Sequence, residues 1–332
     1  MDRLFFGILF TILLNGCFFT ITAWGAENRE VDKRIQSTFD TVERALGTLP
    51  DSPPKSAPAS SVTRKPFTAG EEERMPVPSD EESAITSSPG TARYFGLIIG
   101  IDRYQKLPKL ENAVNDAVAI DSVLREQYGF KNLILLDGQA NRDNIMRVLN
   151  DLRRQLTEED SLLIYYSGHG EYNAQTETSY WLPVDADRDD TTQWIESRSI
   201  ADQLKLITSM HVLVVADSCF SGTITRSAGT ELSGKSTRSS YLKKVGKKPS
   251  RVLIASGGNE PVIDSGGKGH SVFADAFITA LSRPFDKVFT AEELIARHLK
   301  ESVAGRAEQL PEYKVIRNSG HQGGDFVFVK KK

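Results

Sequence analysis

The stretch YFGLIIGI, Tyr94 to Ile101, is an unbroken apolar run bounded by Arg93 and Asp102. A run of eight with β-branched residues and no polar alternation is the pattern of a strand covered on both faces, as in a parallel sheet. Outward from it the chain alternates. Asn112 to Tyr128 places apolar residues at 113, 114, 117, 120, 123 and 124, which predicts an amphipathic helix stopped by Gly129. A short strand follows at Asn132 to Leu136, then a helix from Asn141 to Leu156, then the strand SLLIYYS, Ser161 to Ser167.

After a loop-rich region holding Tyr180 and Trp181, a helix near Ser199 to Leu206 precedes the strand HVLVVAD, His211 to Asp217. Next come a strand at Arg251 to Ser256, helices at Ser271 to Leu281 and Ala291 to Ser302, and a final strand at Phe326 to Val329. This order predicts an α/β fold, a mostly parallel six-stranded sheet flanked by helices on both faces.

The regular alternation begins near Arg93, so the expected compact domain is 93–332. Upstream, residues 1–26 carry the apolar run Leu4 to Ile21 after Asp2 and Arg3, followed by the small residues Ala23, Gly25 and Ala26. Three fates fit: a signal peptide cleaved near Gly25 or Ala26, lipidation at Cys17 in the lipobox-like LNGC, or an uncleaved anchor in the membrane. All three put the protein outside the cytoplasm, periplasmic or secreted. Residues 27–49 space Val31, Ile35, Phe39, Val42, Leu46 and Leu49 as one helical stripe, which fits a docking helix and a solvated one equally. Residues 50–92 are rich in Pro, Ser and Glu with few large apolar side chains, the composition of a flexible linker.

Lys and Arg total 41 against 44 Asp and Glu, a balance that gives no field to attract nucleic acid. There are two cysteines, Cys17 and Cys219, in unrelated contexts, so no disulfide framework is expected. Removal or lipidation of the N-terminus leaves Cys219 as the one thiol of the folded part. No pair of Cys or His has zinc-ligand spacing, and no metal is expected at the site.

Sites in open α/β sheets form beyond the carboxyl ends of the strands. Two such ends carry reactive groups: YSGHG at 166–170 and ADSCFSG at 216–222. A thiol attacks a carbonyl as the thiolate and needs a neighbouring base. His169 is the candidate base for Cys219, and the flanking Gly168 and Gly170 let backbone approach a substrate and offer N–H groups to an oxyanion. Each signal alone reads equally as packing; their joint occurrence at the ends of two long apolar strands points to chemistry. Among the other histidines, His211 begins a strand at the wrong end, His298 lies mid-helix beside Arg297 and reads as solvated, and His270 and His321 sit in Gly-rich loops that could border a cleft.

SGHG at 167–170 and DSCFSG at 217–222 resemble the motifs of caspase-like cysteine peptidases, closest to the bacterial metacaspase-like group. IGID at 99–102, NDA at 115–117 and HQGGDF at 321–326 support the resemblance, and the His-to-Cys separation of 50 matches caspases. It covers Arg93 to the C-terminus and leaves the first ninety or so residues unaccounted for. The resemblance implies a caspase-like fold and a His169/Cys219 dyad that hydrolyses polypeptides through an acyl-enzyme, with Gly170 and Cys219 backbone at the oxyanion. It implies cleavage after Arg or Lys, with Asp116, Ser167 and Asp217 lining the S1 pocket, because carboxylates bind a basic side chain and repel an acidic one. Phe220 stands where many metacaspases carry His.

No cofactor is required by this chemistry, although some metacaspases are activated by Ca2+. The acidic stretch Asp185, Asp187, Asp189 and Asp190 is the calcium candidate, with a solvated acidic loop as its alternative. The Ser-, Gly- and Lys-rich segment 223–250 reads as a mobile loop at the place where caspase-like enzymes are processed, and its basic residues suit self-cleavage. Two other functions stay open: a catalytically silent interaction module, and a legumain- or gingipain-like hydrolase with another P1 preference.

Overall fold

The computed structural model describes residues 93–218, 225–227, 238–257, 269–284 and 286–331, with 225–227 described by backbone alone. The expectations for 1–92, the thiol of Cys219 and the residues Phe220 to Gly222 lie outside these. No helix among the described residues is long and apolar enough to cross a membrane.

The elements run β1 (Arg93–Gly100), α1 (Ala113–Val123), β2 (Lys131–Leu136), α2 (Arg142–Gln155), β3 (Asp160–Ser167), β4 (Gly170–Asn173), β5 (Thr178–Trp181) and β6 (Ile195–Glu196). They continue with α3 (Ser197–Leu206), β7 (His211–Asp217), β8 (Thr225–Ser227), α4 (Arg238–Val245), β9 (Ser250–Ala255) and α5 (Val272–Ser282). The last are β10 (Val288–Thr290), α6 (Ala291–Leu294), α7 (Lys300–Ala304), β11 (Glu312–Ile316) and β12 (Val327–Val329). A π-helical turn, Leu124–Tyr128, extends α1, and another, Ile295–Leu299, joins α6 to α7.

The main sheet has the order β2-β1-β3-β7-β9-β11-β8. The first five strands are mutually parallel, β11 is antiparallel to β9, and the three-residue β8 adds an edge beyond the six expected strands. β1 and β3 are covered on both faces, with Leu97, Ile98, Ile99 and Leu162 to Tyr166 all fully buried, as their unbroken apolar runs require. On one face Ile98, Leu163, Tyr165, Leu213 and Val215 pack with Ala117 and Ile120 of α1 and Phe273 and Phe277 of α5. Gly100 is what lets α1 lie this close: a Cβ there would sit 2.5 Å from the Ala113 carbonyl and 2.6 Å from the Ala117 methyl.

Four sequence expectations need correction. The sixth strand of the sheet is β11, whose polar and half-buried EYKVI carries no apolar run to announce it. The expected Phe326 to Val329 strand instead forms a separate two-stranded ribbon, β12 with β10. The loop around Tyr180 and Trp181 is a small antiparallel sheet, β4-β5-β6. Segment 223–250 is not all loop: it contributes β8 and the helix α4, in which Leu242 and Val245, three apart, are 4% and 8% exposed while Lys243 and Lys244 face solvent. Arg238 ties that helix down through the Glu293 carboxylate, 3.2 Å, and the Val288 carbonyl, 2.6 Å. Its density of basic residues disguised an amphipathic turn.

Candidate active site

Ser167 ends β3 and Asp217 ends β7, and the register makes them partners, with Gly100 of β1 on the other side of Ser167. His169 follows Ser167 by two residues, as Cys219 follows Asp217 by two. Adjacent strands lie about 4.8 Å apart, so the strand ends that precede the two sequence-predicted catalytic residues lie side by side at the carboxyl end of the sheet.

His169 is held by its backbone on both sides. Its N–H donates to the Tyr104 hydroxyl at 2.6 Å, and its carbonyl accepts from the Tyr166 hydroxyl at 2.7 Å and from the Leu182 N–H at 3.0 Å. Tyr166 is fixed in turn by stacking on buried Trp181, ring centroids 4.4 Å apart and 2° from parallel. Gly168 is required by this crowding, since a Cβ would meet the Tyr104 hydroxyl at 2.6 Å and that of Tyr166 at 3.0 Å. Gly170 opens β4 paired with Trp181.

The half-buried imidazole of His169 rests on the Tyr104 ring, centroids 4.6 Å apart, and its Nε2 lies 2.8 Å from the Pro108 carbonyl oxygen. A carbonyl oxygen only accepts, so in the neutral ring the proton belongs on Nε2 and Nδ1 keeps its lone pair. Neither Tyr104 nor Pro108 was picked out by the sequence, where they are ordinary members of a loop after β1.

The acidic group forms on the face shared by α1 and α5. Asp116 is fully buried in the first turn of α1. Its Oδ1 lies 2.6 Å from His270 Nδ1, and its Oδ2 accepts from the Ser271 N–H at 3.3 Å. Asp217, 3% exposed, accepts the Ser271 hydroxyl proton on Oδ2 at 2.5 Å. Ser271 also caps α5, its Oγ accepting from the Ala274 N–H at 2.9 Å. Ser167 is buried on the same side as Tyr165, two residues before it. The Tyr165 phenol is pushed well above its usual range by burial first, then by the negative charges of Asp217 and Asp116, which places it near both carboxylates. The three expected S1 residues therefore cluster, and His270 joins them through its contact with Asp116. Ser271 went unnoticed in sequence; its position just before an apolar helix is the cap signal that could have found it.

Two of the supporting motifs, IGID and HQGGDF, act as scaffolding. Asp102 caps α1 from outside, its carboxylate accepting from the Ala113 and Val114 N–H groups at 2.8 and 3.3 Å, and so sets where Asp116 sits. Asp325, fully buried and pushed up to about 6 by that burial, accepts from the Tyr313 hydroxyl at 2.7 Å and the Glu292 N–H at 3.1 Å. His321 does not border the cleft: its Nδ1 accepts from the Arg251 N–H at 3.1 Å, at the opposite end of the sheet. His298 is half-buried rather than solvated. In the acidic stretch, Asp185 accepts from the Arg142 N–H, Asp187 pairs with Lys106 at 2.8 Å, and Asp190 accepts from the Thr192 N–H. Among the described residues no cluster of three or more His, Cys, Asp or Glu side chains is arranged to hold a metal ion.

A mostly parallel sheet with a Gly-flanked histidine after one strand and, in sequence, a cysteine after its neighbour is the arrangement of a caspase-type fold. The chain belongs to the caspase-domain family, which it matches over residues 93–319. It is similar to Metacaspase-1 of Sclerotinia sclerotiorum, 28% identical over 144 residues, 37% of this chain and 33% of that one. It is also similar to Metacaspase-1B of Aspergillus fumigatus, 30% identical over 154 residues, 40% of this chain and 36% of that one. The matched stretch thus spans about a third of the length of these relatives. The crystal structure of the Drosophila initiator caspase Dronc matches at a TM-score of 0.49 and 11% identity, covering 72% of this chain and 84% of that one.

Proposed function

We propose that this chain is a cysteine endopeptidase that cuts after Arg or Lys, with Cys219 as nucleophile and His169 as base. The observation that carries the reading is the pairing of Ser167 with Asp217 at the carboxyl end of the sheet, two residues before His169 and Cys219 in sequence, together with the buried carboxylates of Asp116 and Asp217. The Cys219 thiol gives its proton to His169 Nδ1 as sulfur bonds to the scissile carbonyl carbon. Backbone N–H groups of Gly170 and Cys219 serve the oxyanion. The imidazolium then protonates the leaving amine, and a thioester remains. A water gives its proton to Nδ1, adds to the thioester and releases the acid product and the thiol. Every proton transfer has a side chain assigned, so no cofactor is called for; adding Ca2+ or a chelator to the assay tests calcium activation.

Asp116 and Asp217 support the basic preference, since two carboxylates would pair with a guanidinium or ammonium and repel an acidic P1. The likeness to metacaspases agrees with it. A chloromethyl ketone with Arg at P1 should alkylate Cys219, identified by mass spectrometry of the tryptic peptide, and should fail on Cys219→Ala. Labelling by the Asp or Asn counterpart instead would favour the legumain-like reading, and labelling by none the silent module. Self-cleavage in 223–250 is part of the same proposal. Lys243 and Lys244 lie in α4, where a protease cannot extend the chain, so exposed Lys247 and Lys248 are better sites within the described part. Export is proposed on residues 1–26, and a fusion to a compartment reporter tests it.

A further inference from the structure

We infer that His270 and Ser271 are the positioning residues of the S1 pocket: they set the orientation of Asp116 and Asp217 and so determine how tightly a basic P1 side chain is held. The inference rests on the proposed basic specificity and deepens it.

Burying the acid pair carries a cost. A buried carboxylate is stable as the anion only when its oxygens are hydrogen-bonded, and two of them near one another also repel. Asp116 and Asp217 are contributed by different elements, α1 and β7, and α5 joins them. The join is made at the first residues of α5. Both oxygens of Asp116 are taken, Oδ1 by His270 Nδ1 and Oδ2 by the Ser271 N–H, and the Ser271 hydroxyl proton goes to Asp217. That hydroxyl has one proton, so its direction is fixed: it donates to Asp217 and accepts from the Ala274 N–H. Ser271 is the residue that caps the 11-residue α5, so both carboxylates are joined at the N-terminus of that helix.

His270 is the member of the group that solvent reaches. Its side chain is 25% exposed while that of Asp116 is 0%. A cationic side chain approaching Asp116 therefore meets a carboxylate whose plane His270 and Ser271 have already set. Losing either residue lets the carboxylates turn and weakens their grip on the incoming cation without touching the dyad.

The test compares wild type with His270→Ala, His270→Asn, Ser271→Ala and Ser271→Thr on Arg and Lys fluorogenic peptides. Iodoacetamide, which carries no side chain for the pocket, reports on the thiol in parallel. His270→Ala and Ser271→Ala should raise KM about tenfold with kcat within about twofold of wild type, and the rate of iodoacetamide inactivation should not change. His270→Asn keeps an N–H donor near the place of Nδ1, and Ser271→Thr keeps the hydroxyl; both should recover most of the loss. An unchanged or lowered KM, an altered iodoacetamide rate, or failure of the Asn and Thr variants to recover would overturn the inference. If wild type itself cleaves neither Arg nor Lys peptides, the basic specificity falls and this assignment with it. If wild type cleaves them and His270→Ala is indistinguishable, the specificity stands and this assignment alone fails.

Discussion

His169 Nε2 donates to the carbonyl oxygen of Pro108 across 2.8 Å, and this one contact decides which ring nitrogen can act as a base. Because the acceptor is backbone, it cannot be lost by a side-chain change in the loop. Nitrogen NMR of the free protein at neutral pH should show His169 as the Nε2–H tautomer. His169→Gln, whose amide can still donate to Pro108 but cannot take a proton, should lose roughly 100- to 10,000-fold in kcat while unfolding at a similar denaturant concentration.

Gly168→Ala places a methyl 2.6 Å from the Tyr104 hydroxyl and 3.0 Å from that of Tyr166. Both hydroxyls hold the His169 backbone, so the added carbon displaces the histidine rather than merely crowding it. We expect kcat to fall at least tenfold, with the far-ultraviolet circular dichroism of the sheet retained. Wild-type activity would show that the turn has room the distances deny.

Tyr104→Phe removes the acceptor for the His169 N–H. An orphaned, partly buried donor costs about 1–3 kcal/mol, which urea unfolding should register as a lower midpoint at unchanged slope. Activity should fall with it, since the ring of Tyr104 remains but the backbone it anchored is released.

His211, at the far end of β7, lies 3.0 Å from the Gly246 carbonyl through Nε2 and 3.3 Å from the Ser250 hydroxyl through Nδ1. Burial, then the hydrogen bond to Gly246 working against it and the charge of Arg251 working with it, leave its pKa lowered. The folded state therefore prefers the neutral ring. The stability this provides is present above about pH 6.5, the unfolded value, and is lost as pH falls below it. His211→Gln can keep the contact to Gly246 without titrating, so its stability should change less between pH 7 and pH 5.5 than that of wild type, measured by denaturant unfolding at each pH.

What the sequence made legible follows from what physics writes into it locally. β1, β3 and β7 are buried on both faces and must be apolar throughout, so they and the residues that end them, Ser167 and Asp217, could be read directly. The helices α1, α2 and α5 were legible from spacing and from stops such as Gly129. β11 was not, because an antiparallel strand near the sheet edge is half-buried and needs no apolar run. α4 was hidden because its buried face is only Leu242 and Val245 among lysines. At the site, His169 and Asp116 stood out by residue type and motif. Tyr104, Pro108 and Ser271 did not, since two act through a hydroxyl and one through a backbone carbonyl, and only the folded chain brings them to partners 65, 61 and 54 positions away in sequence.

Hydrolysis of peptides that differ only at P1 separates a basic from an acidic preference. Like-charge juxtaposition in a buried pocket costs several kcal/mol, and about 1.4 kcal/mol is tenfold, so kcat/KM for Arg should exceed that for Asp by at least about a hundredfold. Asp217→Asn should shrink that ratio, and Cys219→Ala should abolish both rates. Equal rates for Arg and Asp, a preference for Asp, or activity that survives Cys219→Ala would contradict the proposed function.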